Sequence, residues 1–392
     1  VKRSIATSLL ATLLVYPFLF WRFHAPKPNL TLNLGAEHNA IVDAMPPEDR
    51  AAGVYAEAAA MFEEIPDKSA RTFGIAWPDI LPGDEFWPEA RAYIDRNEQA
   101  IAMIRAGAAQ PHAGYRLSTV PPTDPGPLML DPAHDWNGNP FWMALCSEPF
   151  GQYRNFARTL AADARYAAER AEPARVMQDV EAMLGLARHA GEGRSVIGDL
   201  VAVAIRVLTF ELIGELVLER DGLFGETQLL RLAELTESAV PEDLPKVDFE
   251  IERLCQFDLA QRVFSDDGTG GGTICFEGLR FIRELDGARG PEAVLWLLGP
   301  LTQFRFATRR EYLDACDAML EAIEADSAPP MWEWTTTPGE QYLRSRRQAT
   351  DTPVLLDALL IVGEGLQGVP HAFESHLQSR DATLVALALA RY

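Results

Sequence analysis

The sequence has little from which to build a reactive centre. Its four cysteines, Cys146, Cys255, Cys275 and Cys316, show no CxxC or other metal-ligand spacing, which excludes a zinc ribbon or a dithiol redox motif. Its seven histidines are scattered, and His371 with His376 matches neither the four-residue spacing nor the glutamate of a zinc-protease helix. No Gly-x-Ser-x-Gly elbow occurs. The glycine-rich stretch Asp266-Asp267-Gly268-Thr269-Gly270-Gly271-Gly272 lacks the lysine and hydroxyl residue of a phosphate cradle, and its aspartates would repel phosphate, so it reads as a mobile linker. Period-two strand patterns are almost absent. Cations are scarce too: 35 lysines and arginines stand against 57 acids, a net charge of −22. That excess excludes nucleic acid and anionic headgroups as main partners, since both are drawn to positive potential. No cofactor or metal motif is found, so neither is expected.

What is present begins with one long apolar run. Lys2 and Arg3 precede Ile5 to Trp21, and Arg22 and Lys27 follow with no acid among the first 27 residues. As a helix, those residues reach roughly 25 Å, close to the ~30 Å of a hydrocarbon core, with Trp21 and the flanking cations at the interfaces. The bulky Phe20, Trp21, Arg22 and Phe23 are poor neighbours for signal cleavage, so residues 1–25 are expected to be a retained single-pass transmembrane anchor that meets the lipid bilayer through residues 5–21. The body is expected outside a bacterial cytoplasmic membrane. A proline-flanked polar stalk or linker is expected over 26–47.

With 48% hydrophobic residues, the remaining stretch, 48–392, can bury a sizeable core. Three- and four-residue apolar spacings predict helices at 48–64 and 86–106. Prolines then crowd the irregular segment 108–149. A helical hairpin follows, with Phe150, Tyr153, Phe156, Leu160 and Ala164 on one stripe, Pro173 at the turn, and Val176, Val180, Met183 and Ala187 on the other. Ser195 is placed to cap a helix running to Arg220 that is apolar nearly all round. Asp199, Arg206, Glu211 and Glu215 interrupt it, which favours a core helix over a second membrane span. Further helices are expected at 226–239, 247–264, 291–299, 301–325, 339–349, 353–366 and 380–392. The fold class is thus mostly α: an N-terminal transmembrane helix followed by irregular stacked helical hairpins, solenoid-like or an orthogonal bundle.

Residues 154–190, RNFARTLAADARYAAERAEPARVMQDVEAMLGLARHA, and the closing DATLVALALARY of 381–392 resemble segments of uncharacterised membrane-anchored helical proteins of planctomycete-like bacteria. The resemblance covers about a fifth of the chain and implies a tethered helical body without assigning catalytic residues. In those proteins a Gly-Tyr-Pro segment usually follows the last helix, whereas here the sequence stops at Tyr392, as expected of a shortened member.

Two side-chain groups are candidates for binding. Asp131, His134, Asp135, Trp136, Asn137, Asn139 and Trp142 lie close together in the irregular segment. The oxygen ligands imitate the start of a calcium loop, but the glycine is misplaced and Cys146 stands where the loop needs glutamate, so polar turn formation explains them more simply. Arg305, Arg309, Arg310, Arg344, Arg346 and Arg347 are cationic clusters in an acidic body. They fit internal ion pairs, or at Arg346 and Arg347 an edge that docks an acidic protein partner. The leading reading is a membrane-tethered scaffold or interaction module with no evident catalysis. The alternatives are an envelope hydrolase acting on carbohydrate or peptide through 131–142, and a ligand-binding protein using that segment. The cysteines read as buried thiols, with a Cys255–Cys275 bridge around the glycine run as the alternative.

Overall fold

Apolar residues spaced for helices do fold as helices in the computed structural model. It describes residues 28–62, 81–117, 142, 149–240, 249–275, 278, 308–327, 337–348 and 363–392. Among them are twelve α-helices and three isolated β-bridges, with no extended strand. Residues 1–27, which hold the apolar run, lie outside the described part. Within that part no helix is long and apolar enough to cross a membrane.

Between 28 and 47, the stretch read as a stalk, the chain is anchored to the body. Asn33 caps α1 (Leu34–Ala44) by accepting from the Ala36 amide, and Leu34 and Val42 are buried. After α2 (Ala52–Met61), the helix expected over 86–106 divides into α3 (Trp87–Arg96) and α4 (Glu98–Ala108). The break is at Asn97, whose buried side chain donates to the Tyr93 carbonyl at 2.9 Å, a local bond that competes with regular helix.

The hairpin α5 (Phe150–Glu169) and α6 (Pro173–Gly191) forms where its two stripes predict. Ala171 turns the corner in the left-handed region (φ 56°), and Pro173 opens α6 at a position where no amide donor is needed. α4 lies so close to this hairpin that a Cβ on Gly185 would stand 2.3 Å from the Ala108 carbonyl oxygen. Ser195 caps α7 (Val196–Glu219), accepting from the Gly198 amide at 3.0 Å. α7 is central, packed between the hairpin and α12 (Gly368–Ala390), with α8 (Glu226–Ser238) bracing α12. Its charge is accommodated laterally: Glu215 receives the Arg165 guanidinium at 2.7 Å.

A second core joins α9 (Glu250–Val263), α10 (Arg309–Ala325) and α11 (Pro338–Gln348) around Phe249, Phe264, Tyr312, Met319 and Leu320. The glycine run leaves this core as a defined loop, not the linker its composition suggested. Asp267 Oδ1 accepts from the Thr269 and Gly271 amides, Phe264 bridges Ile274, and Arg309 pairs with Asp266 at 2.6 Å. Aspartate side chains thus take up the amides that the glycines expose. Cys255, Cys275 and Cys316 are buried and joined in no disulfide; Cys146 lies outside the described residues. Burial pushes the Cys316 thiol up to about 12.

Candidate functional site

The site is assembled from both cores. On α9, three polar residues within one helical turn are almost wholly buried. Asp258 Oδ1 accepts from Gln261 at 2.7 Å and from Arg262 at 2.8 Å, leaving Oδ2 to receive the Trp142 amide at 3.0 Å. Gln261 in turn receives the Thr31 and Leu32 amides at 2.8 and 2.9 Å and donates to the Leu32 carbonyl at 2.7 Å. One group on α9 therefore sets both Trp142 and the chain that enters α1.

The segment 112–117 forms the next wall. The Ala51 amide donates to His112, the Ala52 amide donates to Ala113, and Asn39 of α1 exchanges two hydrogen bonds with the Leu117 backbone. Gly114 is left-handed here (φ 60°), and a Cβ on it would stand 2.5 Å from the Arg50 side chain. The start of α5 and the end of α6 complete a cleft of about 230 Å³. Ile41, Val42, Met45, Leu117, Trp142 and Phe150 give it apolar walls, while His38, His112, His189, Glu192 and Arg194 supply its polar groups.

Those polar groups are mostly committed to the protein. His38 Nε2 lies 2.9 Å from the Tyr115 carbonyl, which can only accept, so Nε2 carries the proton. By the same reasoning His189 Nε2 donates to the Gln110 carbonyl at 2.9 Å, and Nδ1 accepts from the Tyr55 hydroxyl at 2.8 Å. Burial lowers His189 to about 4, so it is neutral at physiological pH. Burial also raises the Tyr55 and Tyr153 hydroxyls, the former with help from Tyr153 and the latter from Glu192, so neither ionises to become a nucleophile. Glu192 accepts from the Ala113 amide at 2.7 Å and lies 3.5 Å from His112 Nδ1. Among the described residues, Glu192 is the one carboxylate lining the cleft, and no three His, Cys, Asp or Glu side chains are grouped to hold a metal ion.

No protein-family model, curated protein or solved structure matches this chain. Its site must be read from its own geometry.

Of the residues singled out in the sequence, Trp142 is a wall of the cleft. Asp131, His134, Asp135, Trp136, Asn137 and Asn139 lie outside the described residues. Arg346 and Arg347 belong to α11 and do not line the cleft. Arg346 donates to the Tyr342 hydroxyl at 3.2 Å and stacks over that ring, while Arg347 pairs with Glu364. Arg344 pairs with Glu340 at 2.7 Å. His38, His112, His189 and Glu192 escaped the sequence reading. Their spacing in the chain has no motif, because three separate parts of the fold bring them together: α1, the 112–117 segment and the C-terminal end of α6.

Proposed function

We propose that this chain is a membrane-tethered helical binding protein whose cleft takes a small, largely apolar ligand. The observation that carries the reading is the cleft itself: about 230 Å³ walled by aliphatic and aromatic side chains, with Trp142 held by a buried polar anchor on α9. A dry cavity of about 150 Å³ is enough to bind benzene, so this one suits a molecule somewhat larger. The alternative of an envelope hydrolase acting on carbohydrate or peptide rests on the segment 131–142, which apart from Trp142 lies outside the described residues. The tether rests on the apolar run 5–21 and its flanking cations.

Ile41 stands at the mouth of the cleft and is 45% exposed, so Ile41→Trp fills the entrance with little cost to the core. In calorimetric titration with the neutral probe 1-octanol, the unaltered chain should bind and the variant should not. Equal binding by both would reject the cleft as the ligand site. The tether has its own test: the chain should stay in the membrane pellet through alkaline carbonate washing, and release into the supernatant would refute it.

A further inference from the structure

We infer that this cleft takes the end of one unbranched hydrocarbon tail, to a depth of about nine carbons, and leaves in water whatever head the tail carries. The inference rests on the cleft being a ligand site and adds which part of a ligand enters it and how much. Its first support is that the walls have spent their polar groups on the protein. His38 and His189 donate a ring N–H to the Tyr115 and Gln110 carbonyls, and the other nitrogen of His189 accepts from the Tyr55 hydroxyl. Along the 112–117 wall, the Ala113 amide goes to Glu192, the His112 and Ala113 carbonyls accept from Ala51 and Ala52, and Leu117 is paired through both its backbone groups with Asn39. Trp142 lines the cleft, but its indole nitrogen is itself buried, so what it offers is ring carbon. The surface left for a ligand is nearly all carbon. A polar head drawn inside would lose its water and find little to replace it, a cost that a hydrocarbon segment escapes.

The second support is size and access. If about 150 Å³ holds the carbons of benzene, the roughly 230 Å³ of this cleft holds about nine carbons. That is one short tail, too little for the paired chains of a bilayer phospholipid. The walls come from α1, the 112–117 segment and the ends of α5 and α6, and Met45, an adaptable thioether, stands among them. Such a lining suits a tail that bends to fit better than a rigid ring. The cleft opens to solvent where Ile41 and Arg194 are exposed, so the remainder of the molecule has a way out. Arg194 and Glu192 carry opposite charges at this site, which leaves neither sign of head favoured.

The test is calorimetric titration of the full chain in about 0.15 M salt, which screens distant surface charge, with Ile41→Trp titrated alongside to subtract uptake outside the cleft. Across the straight-chain alcohols from 1-hexanol to 1-undecanol, affinity should rise about fourfold per methylene and level off at about nine carbons. Octanoate, octylamine and octylphosphocholine should each bind within about threefold of 1-octanol. Val42→Ala, which deepens a buried part of the wall, should carry the levelling-off point one or two carbons longer, roughly the methyl groups removed. A rise that continues to 1-undecanol, a preference of about tenfold for one head, or a limit unmoved in folded Val42→Ala would overturn the assignment and leave the cleft in place. So would tighter binding of dioctanoylphosphatidylcholine than of octylphosphocholine, which would mean that two tails enter, or of 2-cyclohexylethanol than of 1-octanol, which would mean that a ring does. Octanol binding indifferent to Ile41→Trp would remove the site and this inference together.

Discussion

Asp163 and Asp179 are both wholly buried, yet the protein treats them differently. Asp163 receives Arg175 at 2.6 Å and Arg105 as well, whereas Asp179 is met by Arg105 Nε at 2.7 Å on one oxygen and by no hydrogen-bond partner on the other. Burial, and then the neighbouring Asp163 charge, raise the Asp179 carboxyl well above its usual range against the pull of Arg105. A carboxyl whose folded pKa is raised costs stability once pH exceeds its unfolded value, because folding then requires proton uptake. Asp179→Asn should remove that cost, keeping or slightly increasing stability at pH 7 in urea unfolding. Asp163→Asn deprives two half-buried guanidinium groups of a charged partner and should lose about 3 kcal/mol, the low end for breaking a buried pair. Equal losses in both variants would mean that both carboxylates are ionised in the fold. Such asymmetry cannot be read from a chain with 57 acids, since it depends on which two meet.

At the scale of elements, the start of α7 and the crossing of α4 with α6 make opposite demands on small residues. Ser195→Ala removes the bond to the Gly198 amide and should lower stability by about 1 kcal/mol. Gly185→Ala would raise intrinsic helix propensity, but it drives a methyl into the Ala108 carbonyl, and the overpacking should cost roughly 2 kcal/mol. If Gly185→Ala instead raised the melting temperature, α4 would have to stand farther from α6 than it does here. The cap was legible in the sequence because a serine before an apolar period has one local explanation. The glycine was not, since mid-helix glycine discloses a close crossing only after the partner helix is known.

Over the whole molecule, acid sensitivity should come from histidine as well as from carboxylates. Burial lowers both His189 and His376 to about 4, the latter with added repulsion from Arg206 and Arg380. A histidine whose folded pKa is depressed stabilises the fold fully above its unfolded pKa of 6.5. That contribution is lost as pH falls from there toward 4, because the unfolded chain takes up the proton first. Each site can contribute up to ~3 kcal/mol across that window. Urea midpoints measured from pH 7.5 to 4.5 should therefore drop, and His189→Gln should flatten the slope. A slope unchanged by that substitution would mean that His189 is not held neutral by the fold.

What the sequence determined by itself was the identity and rough extent of the elements: the α5–α6 hairpin, the turn at Pro173, the Ser195 cap and the core character of α7. Helical periodicity is a local property, and each of these depends on residues within one or two turns of one another. The division of one predicted helix at Asn97, the ordering of the Asp266–Gly272 loop and the docking of α1 were decided by contacts the chain pattern does not encode. The cleft belongs to this second class. His38, Trp142 and the His189–Arg194 stretch come from separate parts of the chain and meet because helix packing, with the Asp258–Gln261–Arg262 group on α9, brings distant backbone together. Long-range burial of polar anchors, unlike helical period, is settled only when the core closes.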